Sequence, residues 1–132
     1  MSIPHTGGAQ AYRRIQAESR SPVDLVLMLY DGALRFTGEA RRAMARNDVP
    51  ARAAAVDRVL AIIAELQNTL DVDRGGPIAA ELDRLYTYMN TRLLDVTVRQ
   101  DAAPLDDVQK VLTTLRDGWA QIAETGAGAP TP

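Results

Sequence analysis

Cysteine is absent from the chain, and histidine, tryptophan, phenylalanine and lysine each occur once, as His5, Trp119, Phe36 and Lys110. Without cysteine there are no disulfides, thiolate metal sites, iron–sulfur clusters or thiol nucleophiles. The lone histidine lies in a leader of Gly, Pro and small polar residues. That position excludes the Glu-x-x-His pairs of carboxylate-bridged metal bundles and the mid-helix histidine of a phosphotransfer bundle. No stretch reaches the length of a membrane span, and the start has no basic segment followed by an apolar run. These absences predict a soluble, cytoplasmic protein with no direct membrane insertion. A strong charge of either sign is missing as well: the formal net charge is -2 and the pI is near 5.3. The basic pairs Arg13-Arg14 and Arg41-Arg42 form no continuous phosphate-tracking stripe, so nucleic acid is not an expected partner.

What remains is helical patterning over 132 residues, enough for one domain with a real core. Ser21-Pro22 opens a helix, because the Ser oxygen accepts an orphan N–H and Pro at the first helical position gives up none that was needed. Asp24 adds negative charge at the positive end of the helix dipole. The spacing predicts long helices over about 22–46, 50–70, 77–99 and 104–123, separated by Asn47-Asp48-Val49-Pro50, Asp71 to Pro77 and Gln100 to Pro104. A short helix of about two turns is expected over 11–19, and one so short forms only if docked. Residues 1–9 read as a flexible leader, 10–123 as the folded domain and 124–132 as a disordered tail. The connections are short enough to force antiparallel neighbours. The expected fold is therefore all-α, an up-down four-helix bundle with a small N-terminal helix added.

The later helices each carry one apolar stripe: Val56, Ile63 and Leu66; then Leu82, Met89 and Leu93; then Leu105, Val108, Leu112 and Trp119. The first long helix carries nearly two. Leu25, Met28 or Leu29, Gly32, Phe36, Ala40 and Met44 are expected to face the core. That leaves Val26, Tyr30, Ala33 and Thr37, with Leu27 and Leu34 beside them, for a central position or for another chain. Tyr12, Tyr30, Tyr86 and Tyr88 combine an apolar body with a polar tip and suit an interface, while core packing is an equal alternative for Tyr30 and Tyr86. Asp31, inside the apolar run, is expected to pair with an Arg or a Tyr hydroxyl on a neighbouring helix. Gly75-Gly76 lacks the preceding strand and flanking pattern of a phosphate loop and reads as a helix–helix turn. No catalytic residues, cofactor or metal are expected. Gly32 and Gly118 in mid-helix imply close approach of another helix or of a ligand.

Five blocks in order carry a family resemblance: Ala11-Tyr12; Ser21-Pro22 through Leu29-Tyr30-Asp31-Gly32-Ala33 to Phe36; Gly75-Gly76 with Ile78-Ala79; Leu85-Tyr86 with Tyr88-Met89 and Arg92-Leu93; and Leu115-Arg116 with Trp119. Together they resemble the flagellar secretion chaperone family FliS over about residues 11–122. The chain departs from the family pattern at Ser19-Arg20, at Val23 with Asp24 one place later, and at Thr87 between the two tyrosines. The resemblance implies a cytoplasmic, non-enzymatic chaperone. Its client is the disordered C-terminal segment of flagellin, held against premature polymerisation and passed to the export gate protein FlhA. It also implies that the segment around Tyr12 and Ile15 covers part of the client surface when no client is bound. Tyr12, Ile15, Leu25, Val26, Met28, Leu29, Tyr30, Ala33, Tyr86 and Met89 are the expected flagellin-binding residues. A monomer or weak homodimer is expected. A generic four-helix adaptor or homodimerisation module without a disordered client is the alternative.

Overall fold

The computed structural model describes residues 21–125. They form α1 (Pro22–Ala45), α2 (Val49–Asn68), α3 (Val72–Arg99) and α4 (Ala103–Thr125), with no strand among the described residues. The leader, the short helix expected over 11–19 and most of the expected tail lie outside these residues. Four helices match expectation, although α4 runs through Glu124 and Thr125, two residues of the expected tail.

Each helix starts on a side-chain cap. Ser21 Oγ accepts from the Asp24 N–H at 3.2 Å, Asp48 Oδ1 from Ala51 at 3.1 Å, and Asp71 Oδ1 from Arg74 at 3.1 Å. Asp101 Oδ1 accepts from the Ala103 N–H at 3.0 Å where α4 begins. Each cap satisfies a donor that the helix cannot. Between α1 and α2 the chain closes in a Schellman turn: Asn47 takes φ 57° and the Asp48 N–H reaches back to the Ala43 carbonyl at 2.9 Å. Gln100, at φ 53°, ends α3 in the same left-handed conformation. Before Pro77, α3 has one extra turn set off by a kink at Gly76, whose φ 58° and ψ -139° only glycine adopts without strain. The stop, turn and start expected at Gly75-Gly76-Pro77 are thus compressed into one bent helix.

Cross-helix contacts give the topology. Arg41 of α1 meets Asp106 of α4 at 3.0 Å, and Asp31, earlier on α1, meets Arg116, an equal distance later on α4, at 2.9 Å. The two helices therefore run antiparallel. On the other side of α1, Arg58 of α2 lies 5.5 Å over the Phe36 ring, while Gly32 faces Ile62 further along α2. Gln67 of α2 donates to Asp83 of α3 at 2.8 Å, and Arg92 of α3 reaches Asp107 of α4 at 2.8 Å. Each helix packs on two neighbours, in a closed ring around one core.

Apart from Ala40, which is buried as expected, the core reverses the expected faces of α1. Val23, Val26, Tyr30, Ala33, Thr37, Ala40 and Ala43 are buried, whereas Leu25 and Met28 are 42% and 52% exposed. The buried stripe steps by three and four, as in a coiled-coil seam. Because α1 packs on both α2 and α4, Val26, Ala33, Thr37 and Ala40 fill the axis around the one large Tyr30, and the larger aliphatic side chains lie to the flanks. Phe36, Met44, Leu27 and Leu34 are partly buried there. Thr37 is accommodated because its hydroxyl donates to the Ala33 carbonyl at 2.8 Å.

Candidate partner-binding site

At the centre of the core the Tyr30 and Tyr86 hydroxyls lie 2.5 Å apart, joining α1 to the diagonally opposite α3. Tyr30 is fully buried and Tyr86 nearly so. Burial pushes the Tyr86 phenol far above its usual range and Tyr30 reinforces it; burial also raises Tyr30, against the opposing pull of Tyr86 and Trp119. Val26, Ala33 and Met89 share this core. Of the ten expected partner residues, these five therefore offer no surface in the folded bundle. Tyr30, Tyr86 and Met89 fill the interior with the smaller Val26 and Ala33 in the same cluster, and the open tyrosine alternative resolves to core packing for Tyr30 and Tyr86. Leu25 and Met28 stay at the surface with Leu29 half-buried beside them. Tyr12 and Ile15 lie outside the described residues.

The raised phenols make stability pH-dependent. Tyrosines in the unfolded chain ionise near pH 10, while the folded pair keeps its protons to higher pH, so the unfolded state loses protons first. Stability that the pair contributes is fully present below about pH 10 and is lost as pH rises toward the folded values. Denaturant midpoints measured from pH 7 to 11 are expected to stay flat and then fall. A Tyr30→Phe, Tyr86→Phe double variant should show a shallower alkaline limb; an identical limb would assign the fall to other groups.

Asp31 pairs with Arg116 as expected, but at the surface, its side chain 54% exposed. Such a pair contributes little to stability. Donating to the Asp31 carboxylate holds the Arg116 guanidinium pKa above its ordinary value, and donating to Asp107 does the same for Arg92.

Sequence reasoning missed a groove. Between α3 and α4, Leu85, Val111 and Leu115 line a cleft of about 220 Å³. It continues into one of about 190 Å³ between Ile78 and Leu82 on one wall and Leu115, Trp119 and Ile122 on the other. From Val111 to Ile122 the apolar floor spans about 16 Å, or three helical turns. Ile78 is 56% exposed at its rim. Gly118 borders the groove, and a Cβ there would meet nothing within 4 Å. Its missing side chain leaves room for a ligand and serves no helix–helix contact. Further along, Arg92 bridges Asp107 and Asp95 at 2.8 and 3.1 Å and closes the apolar run. The signal was in α4: Val111, Leu115 and Ile122 form a second apolar row beside the buried Val108, Leu112 and Trp119.

A larger cleft of about 640 Å³ between α1 and α4 is lined by Arg41, Asp106, Gln109, Lys110, Thr113 and Thr114. Arg41 spans it to Asp106 and Gln109, so it is a poor seat for an apolar segment. Among the described residues no group of three or more Asp, Glu or His side chains gathers to hold a metal, and no helix is long and apolar enough to cross a membrane.

The described residues form the class of helical bundle that carries an apolar lateral groove and a strip of surface aliphatics. Comparison with known proteins narrows the class. The family model for the flagellar protein FliS matches residues 5–126, and the chain belongs to the FliS family. It is 36% identical over 121 residues to the flagellar secretion chaperone FliS of Salmonella typhimurium, covering 88% of this chain and 90% of that one. It is also 35% identical over 108 residues to the flagellar secretion chaperone FliSB of Pseudomonas aeruginosa, covering 82% and 86%. With FliS of Bacillus subtilis it shares 30% over 115 residues, covering 87% and 85%.

Proposed function

We propose that this protein is a cytoplasmic, non-enzymatic export chaperone that binds the disordered C-terminal segment of flagellin, prevents its premature polymerisation and delivers it to the export gate protein FlhA. Family membership supports the chaperone role, and the observation that carries the binding mode is the apolar groove between α3 and α4. A segment that folds on binding gives up ordering entropy worth about 2–5 kcal/mol or more, so it must bury a large surface to bind well. Helix-in-groove docking supplies that surface through apolar anchors at helical spacing. Here the seats are the Ile78–Leu82–Leu115–Trp119 groove and the surface strip of Leu25 and Met28 with half-buried Leu29 beside them. The segment carrying Tyr12 and Ile15 competes with the client for this surface.

Titration calorimetry against full-length flagellin, and against flagellin lacking its C-terminal segment, tests the reading. Tight binding only to the full-length form is expected, with a negative heat-capacity change. Tyr12→Ala should raise that affinity by removing the competitor. Equal binding to both forms, or none to either, would overturn the proposal and favour a homodimerisation module.

A further inference from the structure

At the end of the bundle opposite the Trp119 cleft, the α1–α2 turn and the end of α3 enclose a pocket of about 140 Å³, lined by Met44, Asn47, Asp48, Val49, Arg52 and Gln100. Arg52 is the one charged side chain buried in the described residues, only 6% exposed. Arg41, Arg46, Arg92 and Arg116 all reach carboxylates. For Arg52, among the described residues, no side-chain hydrogen bond or ion pair is made. The Arg52 stem is buried while its guanidinium nitrogens reach solvent at the pocket, so N–H donors that cannot shed their charge stand open to an anion there.

The pocket's own acid does not serve. Asp48 Oδ1 accepts the Ala51 N–H at 3.1 Å and its Oδ2 faces Arg46 at 3.5 Å. With Asp48 and Arg46 cancelling, one positive charge remains, which matches a monoanion better than a phosphate dianion. The first turn of α2, at the pocket wall, adds the positive end of its dipole, against the carbonyl ends of α1 and α3 on the other walls. Asn47 and Gln100 supply side-chain amides to the lining.

We propose that this pocket is a carboxylate-binding site, with Arg52 as the fork that receives the two oxygens. The carboxylate comes either from an acidic side chain of a partner protein or from a free small acid. Amide NMR signals of the full chain, titrated at constant ionic strength with sodium acetate and separately with N-acetyl-glutamate amide, test it. Saturable shifts at Asn47, Val49, Arg52 and Gln100 are expected. They should disappear in Arg52→Gln. In Asn47→Gly, which keeps the left-handed turn, binding should weaken by about 2- to 10-fold, the equivalent of one hydrogen bond. Tighter binding of the blocked glutamate assigns the site to a partner's side chain; tighter or equal binding of acetate assigns it to a free acid. No saturable shift with either, or identical shifts with chloride, would overturn the proposal and leave the carbonyl end of α3 as sufficient company for Arg52.

Discussion

Tyr86→Ala is expected to lose about 3–5 kcal/mol of stability, the range for removing a fully buried aromatic side chain. That is a large part of what holds a domain this size folded. The variant should unfold at a much lower denaturant midpoint. Two effects combine: a cavity opens where the ring met the core, and the Tyr30 hydroxyl, 2.5 Å from its partner in the wild type, is left buried without it. The Phe variants separate these effects. Tyr86→Phe or Tyr30→Phe alone strands the other hydroxyl and should cost about 1–3 kcal/mol. Removing both hydroxyls together should cost less than the sum of the two single changes. Additive losses would mean that the two phenols do not depend on each other. Client binding by the double Phe variant should stay close to wild type, because neither residue reaches the surface.

Filling the α3–α4 groove is expected to do the reverse, sparing the fold and abolishing recognition. Gly118→Met places a flexible apolar side chain where a Cβ meets nothing. Replacing a mid-helix glycine also gains up to about 1 kcal/mol of helix propensity. Thermal stability should therefore hold or rise, while affinity for full-length flagellin should fall about 100-fold or more, the scale of a lost hot spot. Gly118→Ala serves as control: it gains the propensity but intrudes less, and should bind nearly as well as wild type. If Gly118→Met binds like wild type, the groove is not a client seat, and the strip at Leu25 and Met28 becomes the surface to alter. Because the groove variant remains folded, loss of binding cannot be confused with loss of structure.

Helix existence and ends were legible because local chemistry sets them. Ser21-Pro22 and Asp48 with Pro50 each cap a helix where the residue types require it, whereas Asp71, which reads as part of a connection, caps α3 from Val72, five residues before the expected start at Pro77. The inward face of α1 was not legible from bulk. Apolar residues surround that helix, so choosing the largest side chains selected Leu25 and Met28, while the three-four rhythm of Val26, Tyr30, Ala33, Thr37 and Ala40 pointed inward. The same rhythm correctly marked Leu105, Val108, Leu112 and Trp119 in α4. Applied to α1, it would have found the core. The Tyr30–Tyr86 contact joins residues far apart in the chain and across the bundle diagonal, so no local pattern encodes it. The groove escaped because Leu115 and Ile122 read as core when they lie only partly buried beside it.

Trp119 is the sole tryptophan, and its position gives the molecule a built-in optical probe. Its indole is nearly buried against the core while lining the apolar cleft with Ile78 and Ile122. Emission excited through the indole therefore comes from a single location, with no second tryptophan to average over. Unfolding transfers that fluorophore to water and shifts its light to the red. An occupant of the cleft instead shields it further from quenchers in solution, so one unlabelled signal distinguishes a loaded bundle from a melted one.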